Sequence, residues 1–394
     1  MATGWAAAHG GLAPLLHFGF RGHRIRRRRK TTAKTRIVYR DVRAAAGRRR
    51  LGDRGARGPH KAWWGRPPAR AGAAALAASL ILFGCSSPLT APPGATRSAI
   101  VVPPVWIPLA LSGVAVDSTT AVVVGAGGLI WTAAAPVASG SPLYSRTSGT
   151  ALDLTAIASG SVGGSAGFVA VGAGGTILTS SDGVSWSGHS LAAVQSLSGV
   201  CYGNNTWVAV GPNFGQGSGT IVTSTNGTSW TVVSSSATPQ LTGCAWGGST
   251  FVAVGQLGVI LTSPDGSSWS PQSSVTTANL SAVAFGLVGA TPTFVAVGDG
   301  GTILTSTAGT AWTSAASNTT EALRAVAAGT IGGGAGFAAV GANGTIVTST
   351  DATTWTVAPS GTTAYLDGIA SDGANFLWVG QPSAGAPTVA VGAL

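Results

Sequence analysis

Two short turns carry the carboxylates that are best placed for chemistry in this sequence. Asp182-Gly183 precedes Trp186, and Asp265-Gly266 precedes Trp269 at the same spacing. A carboxylate on a turn could act as a general acid or base or as a metal ligand. An Asp-Gly pair between two strand-like runs is also a hairpin signal, because glycine tolerates positive φ and the carboxylate can accept backbone N–H groups. The turns therefore have both a catalytic and a structural interpretation.

Other copies of this turn favour the structural interpretation. The acid is replaced by Asn226 in one copy and by Ala308 in another, and we interpret Asp351 as displaced in a third. A motif that loses its acid in several copies does not depend on that acid for chemistry. We predict that the aspartates and glycines of both Asp-Gly turns shape the backbone. We also predict that the tryptophans after these turns pack between sheets: Trp186, Trp230, Trp269, Trp312 and Trp355.

The rest of the chain offers little for catalysis. Residues 85–394 contain one histidine, His189, so a Ser-His-Asp triad has little to draw on. Asp299 and Glu321 could form the acid pair of a glycosidase if one rim brought them together, although solvated loop acids are the simpler interpretation. The cysteines lack the spacing of metal ligands. We predict a protein that is not an enzyme and that binds no metal or cofactor.

Seven copies of one segment account for most of the chain. Its clearest form is Phe168-Val-Ala-Val-Gly172, which leads through Thr-Ile-Leu-Thr-Ser to the Asp-Gly turn. A period near 43 residues with strand-like units is typical of propeller blades. The spacings between successive marker glycines are 47, 39, 44, 43, 43 and 39 residues, and these glycines are Gly125, Gly172, Gly211, Gly255, Gly298, Gly341 and Gly380.

Each unit offers four strands, rich in Val, Ile, Thr and aromatic residues and bounded by Gly, Asn, Asp and Ser. The Phe-Val-Ala-Val run is apolar on both faces, as expected of a sheet between neighbouring sheets. We predict an all-β fold over residues 100–394, a seven-bladed β-propeller of four-stranded antiparallel blades. The last unit lacks a fourth strand. We expect Ile100–Ile107 to complete the last blade at its outer edge, where Pro103-Pro104 is tolerated.

The repeat resembles a known group of propellers. With their Asp-Gly turns and following tryptophans, residues 100–394 are similar to bacterial WD40, YVTN and Asp-box (BNR) repeat propellers, and more closely to the repeats grouped with photosystem II stability and assembly factors. The resemblance implies a propeller scaffold. Sialidases of the Asp-box group need an arginine cluster, and only Arg97, Arg146 and Arg324 follow Cys85. Sialidase activity is therefore excluded.

The formal net charge of +11 combines two opposite regions. Residues 1–84 hold 19 of the 22 Lys and Arg and 2 of the 11 acids, which gives +17. Residues 85–394 hold three arginines against nine acids, which gives −6, and they contain no lysine. We therefore expect no nucleic acid to bind the repeats. The basic tract in residues 1–70 is interpreted either as an over-extended gene start or disordered segment, or as a nucleic-acid-binding arm.

The basic tract leads into an export signal. Arg66 and Arg70 precede a short apolar run, a pattern typical of a secretory signal rather than a membrane-spanning helix. The residues Leu82-Phe-Gly-Cys85 resemble the lipobox of bacterial lipoproteins, which implies cleavage before Cys85 and lipidation of its thiol. We predict a lipoprotein signal peptide over residues 66–84 and a flexible tether over residues 85–99. The protein would then be exported and anchored in the cell envelope, at the outer membrane where two membranes are present.

Two cysteines remain in the repeats. Cys201 and Cys244 lie on the first strands of adjacent units, at offsets from the strand leucine that differ by one residue. Strict alternation along a strand would send their side chains to opposite sheet faces. We therefore expect two buried thiols and keep a disulfide, which an exported protein permits, as the alternative.

One side of the propeller is the best candidate for binding. The turns between second and third strands and the crossovers between blades emerge on the same side, and binding residues tend to lie on variable loops of a rigid scaffold. We predict a partner-binding rim there, with ordinary solvated loops as the competing interpretation. The rim residues are Asn213, Phe214, Gln216, Gln240, Gln256, Asp299, Glu321, Asn343 and Tyr365.

These observations predict a lipid-anchored, monomeric propeller that serves as a non-catalytic protein-interaction or assembly scaffold in the cell envelope. Its partner would be an envelope protein or a glycan. Two other classes remain open. A propeller-type carbohydrate-active enzyme would cluster acids in a deep axial pocket, and a cell-surface carbohydrate-binding or adhesion module would expose aromatic side chains on one face.

Overall fold

The computed structural model describes residues 98–99, 110–138, 140–191, 193–213, 218–233, 239–383 and 386–394. Over these residues the chain forms seven four-stranded sheets, which confirms the predicted all-β, seven-bladed propeller. The predicted basic tract, signal peptide and Cys85 lie outside the described residues. Within the part of the chain that is described, no helix is long and apolar enough to cross a membrane.

Blades 1 to 6 each take four consecutive strands. Blade 1 consists of β2 to β5, at Leu111–Val116, Thr120–Gly125, Leu129–Ala134 and Tyr144–Arg146. Blade 2 consists of β6 to β9, at Leu154–Val162, Ser165–Gly172, Thr176–Ser180 and Ser187–Ser190. Blade 3 consists of β10 to β13, at Gly199–Gly203, Thr206–Asn213, Ser218–Ser224 and Thr231–Val233. Blade 4 consists of β14 to β17, at Leu241–Gly247, Thr250–Gly255, Ile260–Ser263 and Ser270–Gln272. Blade 5 consists of β18 to β21, at Leu280–Val288, Thr291–Gly298, Ile303–Ser306 and Thr313–Ala315. Blade 6 consists of β22 to β25, at Leu323–Ile331, Gly334–Gly341, Ile346–Ser349 and Thr356–Ala358.

Blade 7 joins the two ends of the propeller sequence. Its strands β26, β27 and β28 come from the end of the chain, at Leu366–Ser371, Phe376–Ser383 and Ala386–Gly392, and its outer strand is β1, Ser98–Ala99. In β1, Ser98 pairs with Val391 and Ala99 pairs with Ala390, antiparallel to β28. The predicted closure by an N-terminal strand is therefore confirmed. The residues expected to form that strand, Ile100–Ile107, lie outside the described residues.

The second strand of each blade is covered on both faces, because neighbouring sheets stack against it. In β7 the four residues Phe168, Val169, Ala170 and Val171 are completely buried. Phe168 and Ala170 belong to the apolar cluster shared with blade 1, whereas Val169 and Val171 belong to the cluster shared with blade 3. Alternation along one strand thus serves two interfaces, as the two-faced apolar run predicted.

The ring closes where blade 7 meets blade 1, because Leu377 and Val379 share an apolar cluster with Leu111 and Val123. Near the axis the first strands approach closely, and small residues make this possible. A Cβ atom on Gly199 would lie 2.9 Å from the Cα atom of Gly243 on the next blade. The seven first strands can therefore crowd around a narrow axial channel.

Candidate functional site

One face of the propeller brings together the turns between second and third strands and the crossovers between blades. The backbone N–H of Gln256 donates to the carbonyl of Gln240 at 2.9 Å, and that of Asp299 donates to the carbonyl of Asn279 at 3.0 Å. We call this side the crossover face. Four of its turns are single 3-10 turns, at Ala126–Gly128, Gln256–Gly258, Asp299–Gly301 and Ala342–Gly344.

The axial channel opens on this face. All seven first strands line the channel, whose inner part has a volume of about 180 Å³. The mouth is wider, with a cavity of about 490 Å³ that is bordered by Asp299, Arg324, Asp367 and Gln381. The mouth therefore combines first-strand residues with residues of the turns.

The position after the first-strand leucine faces the channel in every blade. In blade 2, the Thr155 hydroxyl donates to the carbonyl of Leu197 at 2.6 Å, and in blade 4, Thr242 donates to the carbonyl of Leu280 at the same distance. These hydroxyls link blade 2 to blade 3 and blade 4 to blade 5. Five blades carry a hydroxyl at this position, and blades 6 and 7 carry charges instead: Ser112, Thr155, Ser198, Thr242, Ser281, Arg324 and Asp367.

Arg324 and Asp367 form an ion pair at the channel mouth. The Nη1 atom of Arg324 lies 3.0 Å from Oδ1 of Asp367, and the two side chains are 45% and 12% exposed. The guanidinium carbon lies 4.9 Å from the ring centroid of Tyr365, which is within cation–π range. The other carboxylate oxygen of Asp367 accepts a hydrogen bond from Gln381. The result is an exposed cation that is held in place by an acid and an aromatic ring.

Most described residues of the predicted rim pair with neighbouring polar groups on this face. An amide donor lies 2.9–3.0 Å from its acceptor in each of three pairs, Gln256 with Gln240, Asn279 with Asp299 and Asn343 with Glu321. Tyr365 stacks beside Arg324. Asn213 ends β11, where it pairs in register with Ser218. Phe214 and Gln216 lie outside the described residues.

The structure thus brings Asp299 to the same mouth as Arg324, Asp367 and Gln381, three residues that the rim prediction omitted. A signal for two of them was present. When the repeats are aligned on the first-strand leucine, the next residue is Ser or Thr in five units, then Arg324 and Asp367. The ion pair between blades could not be read from either unit alone.

The Asp-Gly turns lie at the other end of the third strand, away from the crossover face. Oδ1 of Asp182 accepts the backbone N–H groups of Val184 and Ser185, both at 2.8 Å. The Ser180 hydroxyl accepts the N–H of Gly183, and Trp186 Nε1 donates to the carbonyl of Gly183. The carboxylate is therefore engaged with its own turn, and these hydrogen bonds lower the pKa of Asp182, the bond from the Ser185 backbone most of all.

Other copies repeat this geometry with different residues. Asn226 accepts the N–H groups of Thr228 and Ser229 at 2.9 and 2.8 Å, so a neutral amide can replace the carboxylate. The backbone N–H of Ser268, followed by the Ser267 side chain and backbone N–H, holds the pKa of Asp265 well below its usual value. The same hydrogen-bond pattern therefore holds with and without a charge.

The interpretation of Asp351 as displaced was wrong. Asp351 accepts the N–H groups of Thr353 and Thr354 at 2.8 and 2.6 Å, and the latter is the main reason why its pKa is well below the usual value. The difference in this copy is the next residue, Ala352, which adopts a φ of 58° where the other turns have glycine. This copy of the turn differs from the others because alanine replaces the glycine, and the aspartate keeps its position.

Cys201 and Cys244 form a disulfide between blades 3 and 4, with their Cα atoms 5.8 Å apart. The expectation of two free thiols was therefore wrong. Cys201 pairs in register with Val208 and Cys244 with Ala253, so they do occupy opposite faces of their own sheets. Adjacent blades stack face to face, however, so Cys201 on the face of blade 3 that meets blade 4 lies against Cys244 on the face of blade 4 that meets blade 3. Opposite orientation is what a bridge between stacked sheets requires.

Among the described residues, no group of three or more His, Cys, Asp or Glu side chains could hold a metal ion. The features that stand out are instead the closed propeller, the polar rim and the Arg324–Asp367 pair at the channel mouth. Together they define the chain as a seven-bladed propeller with an open, polar axial mouth.

The chain matches no protein-family model and no curated protein. Among solved structures it is similar to YCF48 from Cyanidioschyzon merolae, with 19% identity, a TM-score of 0.53 and coverage of 73% of this chain and 96% of that one. It is also similar to YCF48 bound to a D1 peptide, with 16% identity, a TM-score of 0.56 and coverage of 76% and 96%. A third similar structure is a catalytically inactive virginiamycin B lyase from Staphylococcus aureus with quinupristin, with 13% identity, a TM-score of 0.60 and coverage of 73% and 96%. The TM-scores show a shared fold, and at these low identities the matches show the fold alone.

Proposed function

We propose that this chain is a non-catalytic propeller that binds a segment of another protein on its crossover face. The observation that carries the proposal is the mouth of about 490 Å³, where the Arg324–Asp367 pair interrupts a ring of hydroxyl groups. A structural neighbour, YCF48, has been solved with a bound peptide, and this supports peptide binding as a use of the same fold. The lyase among the neighbours was solved with quinupristin, so the same fold also accommodates ligands other than peptides of this kind.

The side chains at the mouth are of the types that dominate binding energy at protein interfaces. Arg324 has five N–H donors, and the ion pair with Asp367 joins only one of its terminal nitrogens to one carboxylate oxygen. Tyr365 is 43% exposed and presents its ring beside the guanidinium. Arginine and tyrosine are enriched among interface hot spots. Both are already ordered by their contacts, so little conformational freedom would be lost on binding.

Exchange of Arg324 for alanine tests the proposal. We expect Arg324→Ala to weaken capture of partner proteins from envelope membranes by at least about tenfold, or ~1.4 kcal/mol. Its melting temperature should change little, because Arg324 is 45% exposed and Asp367 keeps its hydrogen bond from Gln381 when the arginine is removed. The matched control is Leu287→Ser, which changes an exposed residue at the opposite end of the first strand of blade 5. Loss of capture in the control, with Arg324→Ala unaffected, would place binding on the opposite face.

We further propose that the propeller is exported and anchored to the cell envelope by a lipid on Cys85. The support is the apolar run after Arg66 and Arg70 and the lipobox-like Leu82-Phe-Gly-Cys85. Each buried CH₂ group contributes about 0.8 kcal/mol to membrane binding, so a doubly or triply acylated cysteine would anchor stably. Mass spectrometry of the protein from its native host should find an acylated N-terminal Cys85. A soluble protein that still carries residues 1–84 would refute this proposal and would leave the binding face unaffected.

A further inference from the structure

Leu257 occupies a position that does not suit leucine. It is the middle residue of the 3-10 turn between β15 and β16, with φ 56° and ψ 28°. The equivalent residues of the matching turns are Gly127, Gly300 and Asn343, all with similar positive φ. Glycine and asparagine adopt this left-handed region readily, whereas a branched apolar residue is strained there. Blade 4 therefore differs from blades 1, 5 and 6 at this position, and the leucine strains the backbone of its turn.

Burial does not compensate for this strain. The side chain of Leu257 is 69% exposed, the largest exposure among the large hydrophobic residues that the structure describes as exposed. Strained backbone conformations cluster at functional sites. A contact with a partner would supply the missing burial.

Contacts connect Leu257 to the channel mouth. Its backbone N–H donates to Oδ1 of Asn279 at 3.0 Å, and Nδ2 of the same Asn279 donates to Oδ2 of Asp299 at 2.9 Å. Asp299 in turn borders the cavity that contains Arg324. Asn279 therefore bridges the backbone of the exposed Leu257 and the carboxylate of Asp299 at the mouth.

The surface that carries Leu257, Asp299 and Glu321, which we call the arc, is negatively charged. Arg324 is paired with Asp367, which neutralises both. Asp299 and Glu321 each interact with a neutral amide, from Asn279 and Asn343, and among the described residues neither carboxylate belongs to an ion pair. An arc with an exposed apolar side chain next to uncompensated carboxylates is complementary to a segment with an apolar side chain next to a basic one.

We propose that Leu257 is the apolar anchor for a peptide segment that carries Lys or Arg close to an aliphatic or aromatic side chain. The basic side chain would lie against Asp299 and Glu321, and the apolar side chain against Leu257. This inference rests on the proposed function and specifies the chemistry of the partner. The anchor lies on blade 4 and the Arg324 pair on blades 6 and 7, so a substitution at one leaves the residues of the other unchanged.

The test uses a display library of random short peptides, selected on the full chain and on single variants. We expect selection on the unaltered protein to enrich peptides with a basic residue near an apolar one. Leu257→Asn introduces the residue that blade 6 carries at this position, so it should raise the melting temperature while reducing binding of the enriched peptides by about tenfold or more. Asp299→Asn keeps a side-chain oxygen for Asn279 and should remove the preference for Lys and Arg. Val232→Asn, an exposed valine on the outer strand β13, is the matched control and should bind as the unaltered protein does.

Each outcome decides between the proposals. If Leu257→Asn keeps full binding while Arg324→Ala loses it, the anchor is refuted and the proposed function stands. If the enriched peptides are acidic, or bind equally to every variant of this face, the inference fails, and in the second case the proposed function fails too. A protein that sediments as a dimer, and as a monomer after Leu257→Asn, would show that a second copy of the chain covers Leu257, which also overturns the inference.

Discussion

Replacement of Trp355 by alanine should lower the free energy of unfolding by about 3–5 kcal/mol, because it removes a large aromatic side chain from a closed interface. Trp355 is 1% exposed and belongs to the apolar cluster that joins blades 5 and 6. Its Nε1 atom donates to the carbonyl of Ala352 at 3.2 Å, and this carbonyl would lose its partner. The cavity left by the tryptophan would also remove packing contacts from Phe337, which belongs to the same cluster.

Trp230 provides a matched comparison. It occupies the same position in blade 3 and makes the same bond, to the carbonyl of Gly227, but it is only partly buried. Trp230→Ala should therefore cost less than Trp355→Ala in urea denaturation monitored by circular dichroism. Equal losses would show that the hydrogen bond, rather than burial, determines the contribution of these tryptophans. A loss below about 1 kcal/mol for Trp355→Ala would contradict the packing assigned to it.

Removal of the Cys201–Cys244 bridge should have a similarly large effect. The disulfide closes a loop with a sequence separation of 43 residues. In the chain-entropy model a loop of this length contributes about 4 kcal/mol, mainly by restricting the unfolded chain. We expect the double variant Cys201→Ala, Cys244→Ala to unfold at a correspondingly lower urea concentration, with the loss of two buried sulfur atoms adding to the effect.

A reductant distinguishes the bridge from the packing of the sulfur atoms. Reduction of the unaltered protein should reproduce most of the destabilisation of the double variant, and the same reductant should leave the double variant unchanged. If the reduced and oxidised proteins unfold at the same urea concentration, the bridge does not contribute to stability. A change that appears only in the double variant would be due to the cavities alone.

The repeat made the architecture predictable from sequence, because the same four-strand pattern recurs and each copy corroborates the others. The buried run Phe168–Val171 was apolar on both faces, and the structure shows two neighbouring sheets covering it. Closure by an N-terminal strand could be predicted because the last unit lacked a strand. The paired residues could not be, because a two-residue edge strand such as Ser98–Ala99 has no distinctive pattern.

The features that sequence did not reveal depend on contacts between blades. The Cys201–Cys244 bridge was misjudged because alternation was considered within one sheet, whereas the bridge spans two stacked sheets. The Arg324–Asp367 pair joins residues 43 positions apart, and neither repeat unit alone indicates it. The presence of leucine at position 257 indicates nothing unusual in the sequence. Its significance depends on a backbone angle, φ 56°, that only the folded turn displays.

The turns with Ser, Asp, Gly and Trp have a consequence for how the chain can change over time. The same turn is built with aspartate at Asp182, with asparagine at Asn226 and without either at Ala308, where the Ser306 hydroxyl still holds Gly309 and Trp312 still donates to its carbonyl. The turn therefore requires no particular residue at this position in any one copy. Because the turn tolerates different residues, single blades can acquire substitutions without loss of the turn. The surface of the propeller can therefore diversify one blade at a time while the seven-bladed fold is kept.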